Sequence, residues 1–248
     1  MSRNKYPGKI GHYTGPGEPL TDVIIGMHDR GLQFAPWNFA HVSTYDIHNT
    51  GMTYTAAEWT QTLENSGTIA MGTSGILFTT GAASGNNSSH QLIRDVVPNT
   101  GRRFGVFMRC SFGDLPNTGI YIGFCGTDTD YFSTEPTQQV GFFKDKGGTS
   151  DFVGRCKDGV TGSNTSTLLA SGVVNTMYDF SILYDGPNAA VFFGVKPISR
   201  GWLATDFTKK TTNLPSATVR LSAYIENDTE NAANTMIVQK CLFWAEGV

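Results

Sequence analysis

Charge is scarce in this 248-residue chain: only 16% of its residues are Asp, Glu, Lys or Arg, against about 25% in an ordinary soluble domain. The 18 basic and 21 acidic side chains leave a net charge of −3, so the basic footprint of a nucleic-acid binder is missing. No apolar run approaches the ~20 residues of a membrane-spanning helix. Basic residues near the N-terminus have no apolar stretch behind them, so no signal peptide is expected. Neither the nucleophile-elbow pattern GxSxG nor the phosphate-cradling GxxxxGK[ST] occurs. Heptads, internal repeats and low-complexity tracts are also missing. The four cysteines, Cys110, Cys125, Cys156 and Cys241, show no CxxC spacing. Each sits in an apolar, strand-like run, which predicts buried thiols. Cys110 with Cys125 is the one pair considered for a bridge, and cytoplasmic assembly would keep it reduced.

What is abundant is turn chemistry. There are 29 glycines, set among Thr, Ser and Asn, and the texture from Gly67 onward is that of short strands. The stretch Gln139 to Val160 is the clearest case. Val140, Phe142 and Lys144 fall on one face of a period-two pattern, with Gly141 and Phe143 on the other. Asp145-Lys146-Gly147-Gly148 supplies a turn that tolerates positive φ, and Gly148 is the expected site of it. Lys157-Asp158-Gly159 offers a second turn. Aromatics on both faces place this hairpin in the middle of a sheet in a two-layer structure.

Nine more segments complete the pattern. The expected strands are Gly75–Thr80, His90–Val97, Arg103–Phe112, Gly119–Cys125, Gln139–Lys144, Asp151–Cys156, Thr167–Ser171, Met177–Tyr184, Ala189–Val195, Thr218–Ile225 and Thr235–Trp244. Asp185-Gly186-Pro187-Asn188 reads as a hairpin turn. Lys196 to Pro215 is a long connection that Trp202 and Phe207 should pin to the body. Regular strand spacing of this kind marks a β-sandwich or barrel.

Residues 1–60 differ. Tyr6-Pro7-Gly8 and Gly15-Pro16-Gly17 deny the start regular structure. Ile24, Ile25, Phe34, Trp37 and Phe39 then follow without a sustained period. So many large apolar groups must be covered, either by the chain's own domain or by a neighbouring subunit. These five residues are the candidate partner-binding set. His12, His28, His41 and His48 share the segment at spacings that do not suggest a metal site. Thr55-Ala56-Ala57-Glu58 fits a capping box and predicts one helical turn before Trp59. The division is therefore an extended N-terminal arm over 1–60 and a β-sandwich over 61–248.

The segments GILFTTGAASGNNSSHQL, TGIYIGFCGTDTDYF, VGFFKDKGGTSDFVGRCKDG, MYDFSILYDGPNAAVFFGV and LPSATVRLSAYIENDTENAANTMIVQKCLFW fall in a recognisable order. The chain resembles the concanavalin A-like (laminin-G-like) jelly-roll structural proteins of tailed bacteriophages, from about Trp59 to Trp244. The resemblance implies an all-β jelly-roll sandwich. It also implies a virion protein of decoration or cement type, assembled in the host cytoplasm. Such a protein would bind the major capsid protein or other virion proteins, most simply as a homotrimer at a local three-fold axis. No cofactor, nucleic acid or membrane enters this reading, and no turnover is expected.

Rival chemistries rest on particular residues. Laminarinase-type hydrolases share the jelly roll and carry Glu-x-Asp-x-Glu on the active strand, which Glu226, Asp228 and Glu230 match in spacing. Here Asn227 and Thr229 intervene, and the turn-rich stretch reads instead as an exposed loop. Asp128 and Asp130, with Asp114 and Asp151, could ligate calcium, though turn capping accounts for them. Glycan binding, as on a phage fibre, spike or tail, would use loop aromatics such as Trp37, Trp202 and Tyr131, whereas core packing is the commoner fate of such rings.

Overall fold

A computed structural model describes residues 39–46, 59–63, 66–72, 75–85, 87–92, 96–98, 103–126, 131–160, 165–228 and 232–246. Fifteen strands follow in chain order. They are β1 (Phe39–Asp46), β2 (Trp59–Leu63), β3 (Thr68–Gly72), β4 (Gly75–Thr79), β5 (Asn87–Leu92), β6 (Arg103–Phe112), β7 (Thr118–Cys125) and β8 (Gln138–Lys144). Then come β9 (Asp151–Asp158), β10 (Thr165–Ser171), β11 (Tyr178–Asp185), β12 (Ala190–Pro197), β13 (Phe207–Lys210), β14 (Arg220–Asn227) and β15 (Thr235–Glu246).

The strands form two antiparallel sheets. One runs β13-β12-β11-β6-β15-β4-β3, with β1 also paired to β15; the other runs β10-β9-β8-β7-β14-β5-β2. Consecutive strands β6 and β7 lie in different sheets, and β14 and β15 do likewise, which ties the two layers together. The all-β sandwich expected from strand spacing, and the jelly roll that the resemblance implies, is the observed architecture.

Alternation decides what fills the space between the sheets. Phe104, Val106, Met108, Cys110 and Phe112 of β6 and Tyr178, Phe180, Ile182 and Tyr184 of β11 point inward. They meet Ile120, Ile122 and Phe124 of β7 and Leu221, Ala223 and Ile225 of β14. Edge-to-face rings join the layers: Phe142 lies 5.0 Å from Phe180 at 68°, and Phe152 lies 5.1 Å from Phe180 at 76°. Each such pair contributes about 0.5–1.5 kcal/mol beyond its buried area.

The central hairpin is built as its alternation predicted. Val140 and Phe142 enter the main core, while Phe143 joins a second cluster on the outer face with Tyr121, Cys125, Tyr131 and Tyr224. Positive φ falls on Gly147 (+65°), one residue before the expected Gly148, and again on Gly159 (+90°). The Asp185–Asn188 turn closes the β11–β12 hairpin, with Asp185 opposite Ala190. Trp202 stacks on Phe207 at 4.8 Å and both rings lie on Gly194, which pins the long connection as expected.

Four strands were not anticipated. Phe39–Asp46, assigned to an irregular arm, is a strand: β4 pairs only with Thr235–Val238 of β15, and β1 takes the edge that Lys240–Glu246 would otherwise leave open. Trp59–Leu63 forms a strand on β5, and the capping-box residues 55–58 lie outside the described residues. β3 and β13 are short additions to β4 and β12, each too brief to show a period. Ile24, Ile25, Phe34 and Trp37 also lie outside the described residues, and Phe39 opens β1 opposite Glu246. Cys110 faces the core from one sheet while Cys125 belongs to the outer face of the other, so they are not cross-strand neighbours. All four cysteines are free and buried. Burial pushes the thiols of Cys156 and Cys241 up to about 12.

Candidate functional site

The outer face of the seven-stranded sheet gathers more polar and aromatic chemistry than its neighbours. Register sets its rows. Tyr224, Tyr121, Phe143 and Val153 are successive cross-strand partners on β14, β7, β8 and β9. The next row is Ser222, Gly123, Gly141 and Arg155. Gly141 makes room for the Tyr121 ring: a Cβ there would stand 2.6 Å from Cε2 and Cζ of that ring. Tyr121 Oη donates to the carbonyl of Phe124 at 2.6 Å.

A flap from the β7–β8 connection, residues 131–137, closes over these rows. Tyr131 stacks on Tyr121 with centroids 4.2 Å apart, and its hydroxyl donates to Gln139 Oε1. Glu135 is clasped by Arg155 Nη1 and Lys157 Nζ, each at 2.5 Å. Burial alone would raise the Glu135 carboxyl, but hydrogen bonds from Lys157, Gln139 and Arg155 and the Arg155 charge hold it below the usual range. Arg155 also lies over the Phe143 ring, 3.4 Å from its centroid. Tyr121, Tyr131 and Tyr224 are consequently at most 1% exposed, and burial drives the phenols of Tyr121 and Tyr131 well up.

At one end of the face the flap and the β8–β9 turn meet the end of β14. The Phe132 ring, half-buried, lies on Gly119, where an added Cβ would sit 2.8 Å from it. Gly119 pairs directly with Glu226 on β14. Lys146, from the β8–β9 turn, reaches Glu226 Oε1 at 2.5 Å, and the Asp228 carboxylate closes on Gly147 in that same turn. The Phe132 ring, through Gly119, and the Lys146 ammonium thus both meet the Glu226 position of β14, with the Asp228 carboxylate on the adjoining turn. Such a set can stack one face of a small ring and exchange hydrogen bonds with vicinal hydroxyls.

Sequence expectations fare unevenly against this geometry. Glu226 is not on an exposed loop; it is the penultimate residue of β14, is 3% exposed and is ion-paired. Asp228 lies immediately beyond the strand, and Glu230 lies outside the described residues. Trp202 and Tyr131, considered as sugar platforms, are 7% and 1% exposed and serve packing; Trp37 lies outside the described residues. Asp114 accepts from the amide of Asn117 and so caps a turn, while Asp151 accepts from Thr149 Oγ1 and from Ser171 Oγ, its cross-strand partner on β10. Asp128 and Asp130 lie outside the described residues. Among the described residues no group of three or more His, Cys, Asp or Glu could hold a metal ion. No sequence pattern marks Phe132 and Lys146 as site residues, because only the flap brings Phe132 onto Gly119 and only the turn brings Lys146 to Glu226.

No family model matches the chain, and no curated protein matches it. Its fold is shared with solved structures at low identity. Lectin II from Ulex europaeus superposes at TM-score 0.58 and 11% identity, covering 84% of this chain and 100% of that one, and lectin UEA-II complexed with galactose gives the same values. Peanut lectin with a nine-residue peptide gives 0.57 and 11%, over 83% and 98%. A protein of unknown function from Shewanella oneidensis MR-1 gives 0.56 and 12%, over 94% and 96%. The chain is thus similar in fold to concanavalin A-like lectins.

Proposed function

We propose that this chain is a non-catalytic module that binds a carbohydrate at the Phe132–Lys146–Glu226–Asp228 corner. The observation behind this reading is the half-buried Phe132 ring on Gly119, the direct strand partner of the Glu226 carboxylate that Lys146 pairs, an apolar face and hydroxyl partners that suit a pyranose. Fold likeness to a galactose-bound lectin, and to a carbohydrate recognition domain at TM-score 0.54, supports the ligand class. Fold alone does not assign function, so the site must bear the test. On a glycan array the full chain should show saturable binding that Phe132→Ala and Lys146→Ala each reduce at least tenfold. The reading fails if no glycan binds, or if binding ignores both changes.

A second reading, a capsid decoration protein on a phage virion, is favoured by one observation. The exposed large apolar groups of the described surface are aliphatic and include Val160 at 66%, Leu168 at 60% and Val173 at 57%. Aliphatic patches suit protein contact better than sugar stacking. Co-sedimentation with purified phage heads, and a trimer mass by light scattering, would support it; a monomer absent from the particles would refute it.

A further inference from the structure

Lys144 ends β8 and is 0% exposed. Its strand partner on β7 is Ile120, a core residue, so alternation turns Lys144 inward with Val140 and Phe142. The ammonium therefore lies at the end of the core, where the loops close over it. There it donates to the carbonyl of Asp145 at 2.5 Å and to that of Pro116 at 3.4 Å. Four carboxylates act on its charge: Asp145, Asp114, Asp228 and Asp151. They come from the β8–β9 turn, the β6–β7 loop, the residue after β14 and the first residue of β9. A buried ammonium is costly unless it is paired and hydrogen-bonded, and this one is answered from four elements.

Each contact leads to a member of the carbohydrate corner. Asp145 opens the turn that carries Lys146 to Glu226 and brings Gly147 against Asp228. Pro116 precedes Asn117, whose carbonyl accepts from the amide of Asp228 at 2.9 Å and from Asn234 Nδ2 at 3.2 Å. We propose that Lys144 is a positioning residue for this corner, its ammonium drawing the β6–β7 loop, the β8–β9 turn and Asp228 into one arrangement. The proposal rests on the carbohydrate reading and adds a regulation to it: the corner forms while Lys144 holds its proton and loosens without it. Being fully buried, Lys144 acts through Lys146 and Asp228, not on a sugar directly. Burial lowers its ammonium to about 8, against the pull of the four carboxylates. Loss of the proton removes the attraction to Asp114, Asp145, Asp151 and Asp228 and leaves a weaker donor for the two carbonyls. Sugar binding therefore weakens as pH rises through about 8.

The free full-length chain supplies the first test. In proton–nitrogen correlation spectra the amide resonances of Asp228 and Lys146 should shift together with one midpoint near 8. Lys144→Met should abolish that inflection, whereas a role confined to stability would produce no shared inflection to lose. A wild-type chain without it, or an inflection that survives Lys144→Met, would overturn the proposal; the wild-type titration decides alone if the variant does not fold. The glycan array supplies the second test. About one molecule in thirty keeps this proton at pH 9.5, so wild-type binding should fall at least tenfold from its pH 7 level. Lys144→Met should bind weakly and equally at both values. Glycan binding that ignores both pH and the variant would overturn the positioning role and leave the carbohydrate reading standing. No glycan binding at either pH, with the amide inflection present, would do the reverse.

Discussion

Gly141→Ala is the sharpest probe of the covered face, because the three atoms nearest the added methyl all belong to Tyr121. Its Cβ would stand 2.6 Å from Cε2 and Cζ of Tyr121 and 2.7 Å from its hydroxyl. Gly141 has no positive φ among the described glycines, so backbone strain does not enter. Tyr121 cannot swing aside freely. Tyr131 is stacked on it at 4.2 Å, and its hydroxyl is bound to the Phe124 carbonyl at 2.6 Å. Overpacking of this kind costs about 1–3 kcal/mol. Loss of the buried tyrosine hydrogen bond adds ~1 kcal/mol. The expected sum is about 2–4 kcal/mol, read as a lower urea midpoint at unchanged slope. A background of Tyr121→Ala separates the clash from other effects: there the same glycine change should cost less than ~1 kcal/mol, since the obstructing ring is gone. An unshifted midpoint for Gly141→Ala, or an equal cost in both backgrounds, would refute the packing described for the flap.

Two further outcomes follow from the β8–β9 turn. Gly147→Val should lower stability by about 1–3 kcal/mol, because φ is +65° and the new side chain meets Asp228, while Gly148→Val should change the urea midpoint far less. Lys144 is fully buried, and burial lowers its ammonium to about 8 despite nearby carboxylates. The folded chain therefore gives up this proton at lower pH than the unfolded chain does, and the group's contribution to stability grows as pH rises from about 8 towards the unfolded value of ~10.4. Comparison with Lys144→Met isolates it from the buried tyrosines and thiols. Those act in the opposite sense, since their folded values are raised and their contribution is lost as pH rises. The stability difference, wild type minus variant, should increase between pH 8 and 10; a flat or falling difference would remove Lys144 from its buried position.

Sequence alone settled what depends on neighbours along the chain. Period-two alternation put Val140 and Phe142 on one face and Phe143 on the other, and glycine-rich turns marked the hairpin ends, because both are local properties of a pleated strand. From these the two-layer all-β fold was legible, as was the burial of all four cysteines. Long-range pairing was not. Nothing local in Phe39–Asp46 distinguishes a strand from a tail; it is a strand because the far half of β15 offers an open edge, about 200 residues later in the chain. Glu226 looked like part of an acidic loop, since Asn and Thr flank Asp228. It became a buried, paired carboxylate only when Lys146 arrived from another hairpin at 2.5 Å. Phe132 likewise has no pattern of its own and gains a place by landing on Gly119. Tertiary structure decided the site, because its members come from a strand end, a turn and a flap whose meeting depends on sheet order rather than on sequence spacing.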